Sequence, residues 1–329
     1  MFESAVPGLL DRRLIFVTGK GGVGKSTVAT ALGLMAARRG LRTIVAELAS
    51  QERVRRTFEP SEPAREAAPG TFEEVELAEN LFTISIDPQL AMEEYLRVKT
   101  GAVGQVLGSS RLFNAFAMAT PGMRELLSIG KVWELSQPER RTDGGEVYDL
   151  VIVDSPAAGH GVGILRTPRS FAEIARVGPI AHQAGSIAAT IADASFTAVV
   201  AVATAEEMPV NETLWLRDAL AQEGLAIDAT IVNASYPERF SAEEAALLDQ
   251  AHRRSRSRLK RAALDAALSE RARRQSQREQ LERLRDGLGT DLAELPYLFT
   301  EAVRRPELEQ LADALETGLA RLDSVPVSG

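Results

Sequence analysis

The 329-residue chain contains no cysteine. This absence excludes disulfides, cysteine-ligated zinc, iron–sulfur clusters and thiol nucleophiles. Long apolar runs are also missing: the most apolar stretch, near residues 198–205, is far shorter than the roughly 20 residues needed to cross a bilayer. We therefore expect no transmembrane segment. Because the first 13 residues carry no signal-peptide pattern, we expect a cytoplasmic protein.

Nucleic acid is not an expected partner, because the net charge is −8. Arginine is nevertheless concentrated in one long polar stretch, residues 241–286. The basic residues there are Arg253, Arg254, Arg256, Arg258, Lys260, Arg261, Arg271, Arg273 and Arg274. Acidic residues such as Asp265 and Glu270 alternate with them, and no aromatic residue stands among them. This pattern favours a solvated helix face over a DNA-positioning surface, which stays open as an alternative.

Lysine is scarce, and two of the five lysines lie in one glycine-rich stretch, Gly19–Thr27. Its sequence, GKGGVGKST, fits the phosphate-loop pattern G-x-x-x-x-G-K-[ST]. An apolar run at 14–17 predicts a preceding strand, and residues 28–37 predict a following helix. Glycines allow the backbone to curve around phosphates, and the N–H groups at a helix start attract anions. Lys25 is expected to reach the phosphates and Ser26 to hold Mg²⁺.

Further apolar runs predict the remaining strands of a parallel sheet, at 43–48, 81–86, 148–154, 197–203 and 226–233. Residues 241–286 predict a long helix or a helix pair, and residues 295–298 a short loop or edge strand. The expected fold is α/β, a mostly parallel sheet flanked by helices as in P-loop NTPases. We expect a single domain at 14–323 with a helical insert at about 89–139 and 160–195, and terminal tails at 1–13 and 324–329.

Asp154 ends an apolar strand downstream of the phosphate loop. In phosphate-loop enzymes such a carboxylate holds the metal directly or through a water. The alternative is an aspartate that merely caps the end of the strand. The loop upstream favours the first interpretation, so Ser26 and Asp154 are the expected magnesium ligands.

Several motifs resemble one group of ATPases. The stretch Lys20–Thr27 resembles the "deviant" phosphate loop, whose additional lysine defines a clan of dimeric ATPases. The stretch Asp154–Gly161 resembles the second switch of the arsenical-pump and tail-anchored-protein targeting ATPases in that clan. Residues 121–126, 206–213 and 231–233 resemble the same branch. The resemblance covers roughly residues 14–235 and the loop at Pro296.

This resemblance implies an ATP- and Mg²⁺-binding dimer. Lys20 would reach across the interface to the partner's nucleotide, as an arginine finger does. Thr27 would bind the α-phosphate, Asn233 the adenine, and the Pro296 loop would flank the base. The expected catalytic residues are Lys20, Lys25, Asp154 and Glu47. The expected nucleotide-binding residues are Gly21, Gly22, Val23, Gly24, Lys25, Ser26, Thr27, Asn233 and Pro296.

The chain departs from the family pattern at its first switch. The aspartate that orients the attacking water falls on Ala49, and Glu47 lies two residues earlier, on the same side of an extended segment. Glu47 is a candidate substitute that is set further back. We therefore expect weak hydrolysis. The alternative is a non-hydrolysing, nucleotide-gated subunit of a heterodimer whose paralogous partner supplies the intact switch.

The partners implied by the resemblance are a second ATPase subunit, identical or paralogous, and an unknown protein client. Without cysteine, neither the metalloid thiol site nor the intersubunit zinc site of the family can form, so zinc and arsenite are not expected. Apolar residues of the insert either pack within it or form a client groove. They are Met92, Leu112, Phe113, Phe116, Met118, Met123, Leu126 and Leu127. Packing within the insert is the favoured interpretation.

Overall fold

A computed structural model describes residues 8–48, 53–58, 72–100, 120–142, 145–175 and 178–323. The strands are β1 (Leu14–Gly19), β2 (Thr43–Glu47), β3 (Val75–Ala78), β4 (Leu81–Ser85), β5 (Leu150–Asp154), β6 (Thr197–Thr204), β7 (Ala229–Ser235) and β8 (Ala293–Pro296). The helices are α1 (Lys25–Arg38), α2 (Arg53–Phe58), α3 (Pro88–Thr100), α4 (Met123–Leu135), α5 (Ala158–Ala175), α6 (Pro179–Ala192), α7 (Glu207–Gln222), α8 (Ala242–Arg254), α9 (Arg258–Leu288) and α10 (Arg305–Asp323). A short 3₁₀ turn, Leu9–Asp11, precedes β1.

The strands form one sheet in the order β3-β4-β2-β5-β1-β6-β7-β8. Every neighbouring pair is parallel except β3 and β4. All six residues of β1 are buried, which is typical of a strand covered on both faces. Ile15 packs towards α1 and α10, whereas Phe16 packs towards α4, α5 and α6. The predicted α/β fold with a mostly parallel sheet is confirmed.

Three elements refine the expectations. The edge strand β3 was not predicted, because its residues are only partly buried and alternate weakly; it pairs antiparallel with β4 across Asn80, at φ 61°. The stretch 241–286 divides into α8 and α9, since Ser257 accepts from the Lys260 N–H and starts a second helix. Pro296 ends β8, an edge strand on β7.

The expected insert regions are helical where the structure describes them, with α3 and α4 in the first and α5 and α6 in the second. Helix α5 packs along α6, and α3 packs on α4. Of the apolar insert residues, Leu112, Phe113, Phe116 and Met118 lie outside the described residues, whereas Met92 and Leu126 are buried and Met123 packs against the core. The division into one domain, an insert and two tails stays a prediction. Within the described ranges, no helix is both long and apolar enough to span a membrane.

Candidate nucleotide site

The phosphate loop lies where β1 ends and α1 begins, at the carboxyl edge of the sheet. Two glycines permit its path. A Cβ at Gly19 would collide with the Val202 carbonyl, and Gly24 adopts φ 90° just before the first residue of α1. Glycine adopts positive φ at no steric cost. The N–H groups at the start of α1 therefore face the loop, as binding of an anion requires.

Ser26 and Asp154 meet beside this loop. The Ser26 hydroxyl donates to the Asp154 carboxylate at 2.5 Å. The sheet brings them together, because β5 is the parallel neighbour of β1 and Asp154 lies level with Val17. A hydroxyl and a carboxylate are hard oxygen donors, which suit a Mg²⁺ ion that completes its shell with phosphate oxygens and water. The donor set predicted for the metal therefore fits Mg²⁺ chemically.

Lys25 and Asp154 are both partly desolvated. Burial lowers the pKa of Lys25, although the Asp154 charge opposes the shift. Burial also raises the pKa of Asp154, although the Ser26 hydrogen bond and Lys25 oppose it. The Lys25 ammonium donates to the Lys20 carbonyl at 3.0 Å, which holds its side chain along the loop. A charge held in a partly dry site acts strongly on a phosphate.

Glu47 does not face an open cleft. Its side chain is only 3% exposed, and Oε1 accepts from the N–H groups of Arg53 and Val54 at 2.9 and 3.4 Å. It therefore satisfies the amino end of α2. Burial raises the pKa of Glu47 to about 7, and the neighbouring Asp154 charge adds to the increase. Ala49, the residue at the first-switch position, lies outside the described residues.

Lys20, the additional lysine of the loop, faces α7. Its ammonium lies 3.4 Å from Glu212 Oε2, and the two side chains are 33% and 27% exposed. The Lys20 side chain is therefore partly exposed and pairs with a residue of α7. Sequence reasoning placed Glu212 inside a family-like run but did not predict this ion pair. The resemblance of residues 206–213 to the family singled out the segment, but nothing in the spacing identifies Glu212 as the partner of Lys20.

Asn233 lies at the carboxyl end of β7, where its amide donates to the Val23 carbonyl at 2.9 Å. Side-chain-free Gly24 makes room for it, because a Cβ there would overlap the Asn233 amide nitrogen. Pro296 pairs with Ser235 at the adjoining strand end. Beyond it, Tyr236 and Tyr297 stack with ring centroids 4.7 Å apart. The structure thus brings Asn233 and Pro296 to one edge with the loop, and their roles towards adenine stay predictions.

Helix α5 approaches β1 very closely. Gly161, in its first turn, faces Thr18, and a Cβ there would lie 2.6 Å from the Thr18 hydroxyl. That hydroxyl is buried and has no hydrogen-bond partner among the described residues. Gly161 ends the stretch whose sequence resembles the second switch of the related ATPases. The structure gives it a packing reason, since only glycine allows this approach.

A parallel α/β sheet, a phosphate loop between β1 and α1, and a hydroxyl–carboxylate pair beside the loop lysine define a P-loop nucleotide-binding protein. The comparisons narrow this class. The family model described as anion-transporting ATPase matches residues 12–187 and 174–317. The chain belongs to the anion-transporting ATPase family.

Individual relatives agree with this family. ATPase BagA of Mycobacterium tuberculosis is 32% identical over 242 residues, which cover 71% of this chain and 68% of the relative. A putative arsenical pump-driving ATPase of Halobacterium salinarum is 25% identical over 72% of this chain and 37% of its own length. ATPase GET3 of Podospora anserina is 27% identical over 56% of this chain and 52% of its own length. The resemblance to arsenical-pump and targeting ATPases is confirmed.

Proposed function

We propose that this chain is an ATP- and Mg²⁺-dependent ATPase that works as a nucleotide-controlled switch on a protein client. The observation that carries the proposal is the 2.5 Å contact between Ser26 and Asp154 beside the phosphate loop. Membership of the ATPase family supports it. Lys25 and the loop N–H groups would bind the phosphates, and Ser26 and Asp154 would hold Mg²⁺, which neutralises phosphate charge.

We further propose that the active form is a dimer. Lys20 extends towards α7 and pairs with Glu212 rather than with its own loop. A lysine in this position can serve a nucleotide bound to a second subunit once the Glu212 contact is exchanged. The second subunit would be another copy or a paralogue with an intact first switch. Charge supplied in trans is an established way to accelerate phosphoryl transfer.

A second candidate is a nucleotide-gated subunit that binds ATP without hydrolysing it. The observation that favours this candidate is the state of Glu47. Its carboxylate already accepts two N–H groups from α2 and is 3% exposed. Both N–H groups bond to Oε1, and the burial of the residue leaves little access for a water at the carboxylate. This contact supports slow or absent intrinsic turnover.

Calorimetry with Mg²⁺ and ATP tests nucleotide binding. We expect saturable ATP binding by the native chain, and a loss of about a hundredfold or more in affinity for Lys25→Ala, which removes a charge-assisted contact from a partly dry site. Lys260→Ala is the matched control, because Lys260 is exposed on α9. No ATP binding by the native chain would overturn the proposal.

Steady-state turnover separates the ATPase from the non-hydrolysing subunit. We expect low turnover from the native chain and a clear increase for Ala49→Asp, which supplies the missing carboxylate. Glu47→Gln should abolish residual turnover if Glu47 substitutes for it. Unchanged, zero turnover in all three would favour the gated subunit.

Sedimentation with ATP tests the dimer: Lys20→Ala should weaken association and leave nucleotide binding by the single chain in place.

A further inference from the structure

A pocket opens among α3, α4 and α6, away from the nucleotide site. Its volume is about 170 Å³. Its walls are largely apolar, with contributions from Met92, Leu126, Leu127, Trp133, Ile180 and Ile187. An apolar cavity of about 150 Å³ in another protein stays dry and binds benzene. This pocket therefore has room for an aromatic ring or a short alkyl chain. It is too small for a whole helix, which is about 10 Å wide.

A buried ion network forms the polar side of the pocket. Lys131 is 4% exposed and lies 2.8 Å from Glu94 and 3.2 Å from Glu134. Arg140, just outside the pocket lining, is 2% exposed and contacts Glu134 and Glu74, each at 2.7 Å. Tyr148 donates to Glu74 at 2.7 Å as well. Both cations are paired with carboxylates, and the three carboxylates outnumber them, so the network offers a ligand no free positive charge.

Arg141 differs from these cations. It lies at the same pocket, where its guanidinium stacks 4.7 Å over the ring of Trp133 and donates to the Gln183 amide oxygen at 2.8 Å. Among the described residues, no carboxylate lies within ion-pair distance of Arg141, and its own backbone N–H donates to Glu134. One end of an apolar pocket thus carries a guanidinium that has no ionic partner within the described chain.

We infer that this pocket binds a small organic carboxylate, with its alkyl or aryl body among the apolar walls and its carboxylate on Arg141. A guanidinium binds a carboxylate through two parallel N–H···O bonds, and the stack on Trp133 fixes its plane. Burial of a short alkyl chain among the apolar walls favours binding, because it removes apolar surface from water. The pocket shares no residue with the phosphate loop, so this inference and the proposed ATPase function can fail independently.

Tryptophan fluorescence offers a direct test, because the chain has two tryptophans and one of them lines the pocket. Trp215 is 51% exposed on α7, so Trp215→Phe leaves Trp133 as the single reporter. We would titrate this variant with octanoate, octanol and octylammonium, which share a chain length and differ in the head group. We expect a saturable change with octanoate, weaker binding of octanol, and the weakest binding of octylammonium.

Filling the pocket is the first control. A Cβ at Gly130 of α4 would lie 3.9 Å from Ile187 Cδ1, which is ordinary contact distance. Gly130→Leu in the reporter background should therefore fold, fill the cavity and remove the octanoate response. Gly185→Leu adds the same side chain to α6, where nothing lies within 4 Å of the added Cβ, and should leave the response intact. Thermal unfolding of both variants checks that each is folded.

Removing the charge is the second control. Arg141→Gln should weaken octanoate binding at least about tenfold, as expected for a lost hydrogen bond to a charged group, and should leave octanol binding unchanged. Arg141→Lys should restore part of the affinity. Arg166 is an exposed residue of α5, and Arg166→Gln should leave the binding of octanoate and octanol unchanged. The inference is overturned if octanoate gives no saturable response, if Gly130→Leu binds as well as its parent, or if Arg141→Gln affects octanoate and octanol equally.

Discussion

The phosphate loop and the α3–α4–α6 pocket organise charge in opposite ways. The loop presents backbone N–H groups at the start of α1, and Ser26 contacts Asp154 beside it. The pocket side pairs Lys131 and Arg140 with three carboxylates before any ligand arrives. The first arrangement turns N–H groups towards the loop, which suits an anion. The second pairs its charges within the protein, and among the described pocket residues Arg141 is the one cation without an ion pair.

The largest effect should come from breaking the buried network. Lys131→Met leaves Glu94 and Glu134 desolvated beside an apolar side chain, and should lower the free energy of unfolding by about 3 to 5 kcal/mol. Urea unfolding measures it, with exposed Lys260→Met as the control. Nucleotide affinity should be unchanged in the folded fraction. A loss below about 1 kcal/mol would mean that water reaches these carboxylates.

Asp154→Asn should have the opposite effect to Lys131→Met: it should lower the turnover rate and leave the free energy of unfolding intact. Because burial raises the pKa of Asp154, its ionised form is disfavoured in the fold. The neutral amide should leave the free energy of unfolding equal or higher, while turnover falls about a hundredfold. Parallel urea titrations and ATPase assays with excess Mg²⁺ would show the opposite signs. A drop in both would make Asp154 a structural residue.

Glu47 should make stability depend on pH. Its pKa is about 7 in the fold against 4.5 in the unfolded chain, so the folded state binds the proton more tightly. Stability attributable to this group is then present below pH 4.5 and is lost as the pH rises to 7, by up to about 3 kcal/mol. Glu47→Gln should flatten this part of the stability–pH curve. Parallel curves for the two proteins would contradict the raised pKa.

The smallest effect concerns two loop glycines. Gly24→Ala forces a side chain to φ 90° and against the Asn233 amide, and should cost about 1 to 3 kcal/mol. At Gly21 an added Cβ meets nothing within 4 Å, so Gly21→Ala should be nearly neutral. Thermal unfolding of the two variants without nucleotide compares them. Equal losses would show that the Asn233 contact places no constraint on the loop.

The nucleotide side could be predicted from the sequence because its signals are local. Gly19–Thr27 is one contiguous motif, and Asp154 follows a continuous apolar strand that parallel pairing brings beside β1. The Ser26–Asp154 contact agrees with that pattern, whereas the sequence analysis predicts no strand order. The ion pair of Lys20 with Glu212 does not, since 192 residues separate them in the chain and neither position is fixed by a pattern.

The ion network beside the pocket could not be predicted, because its contacts join residues from distant elements. Glu74 lies next to a weakly patterned edge strand, and Arg140 lies just beyond the predicted insert at about 89–139. Nothing in composition or periodicity links them to Tyr148. Glu47 was predicted as a catalytic substitute from its spacing alone, and its contact with the amino end of α2 required coordinates. That catalytic role stays a prediction.

The missing side chain at position 161 brings the first turn of α5 into close contact with β1. Side chains usually separate a helix from the strand on which it packs, but here the backbone of the first turn of α5 lies against Thr18. Any displacement of that turn would therefore act directly on the residue that precedes the phosphate loop. Helix α5 also packs along α6, a wall of the pocket, in the layer that covers the Phe16 face of the sheet.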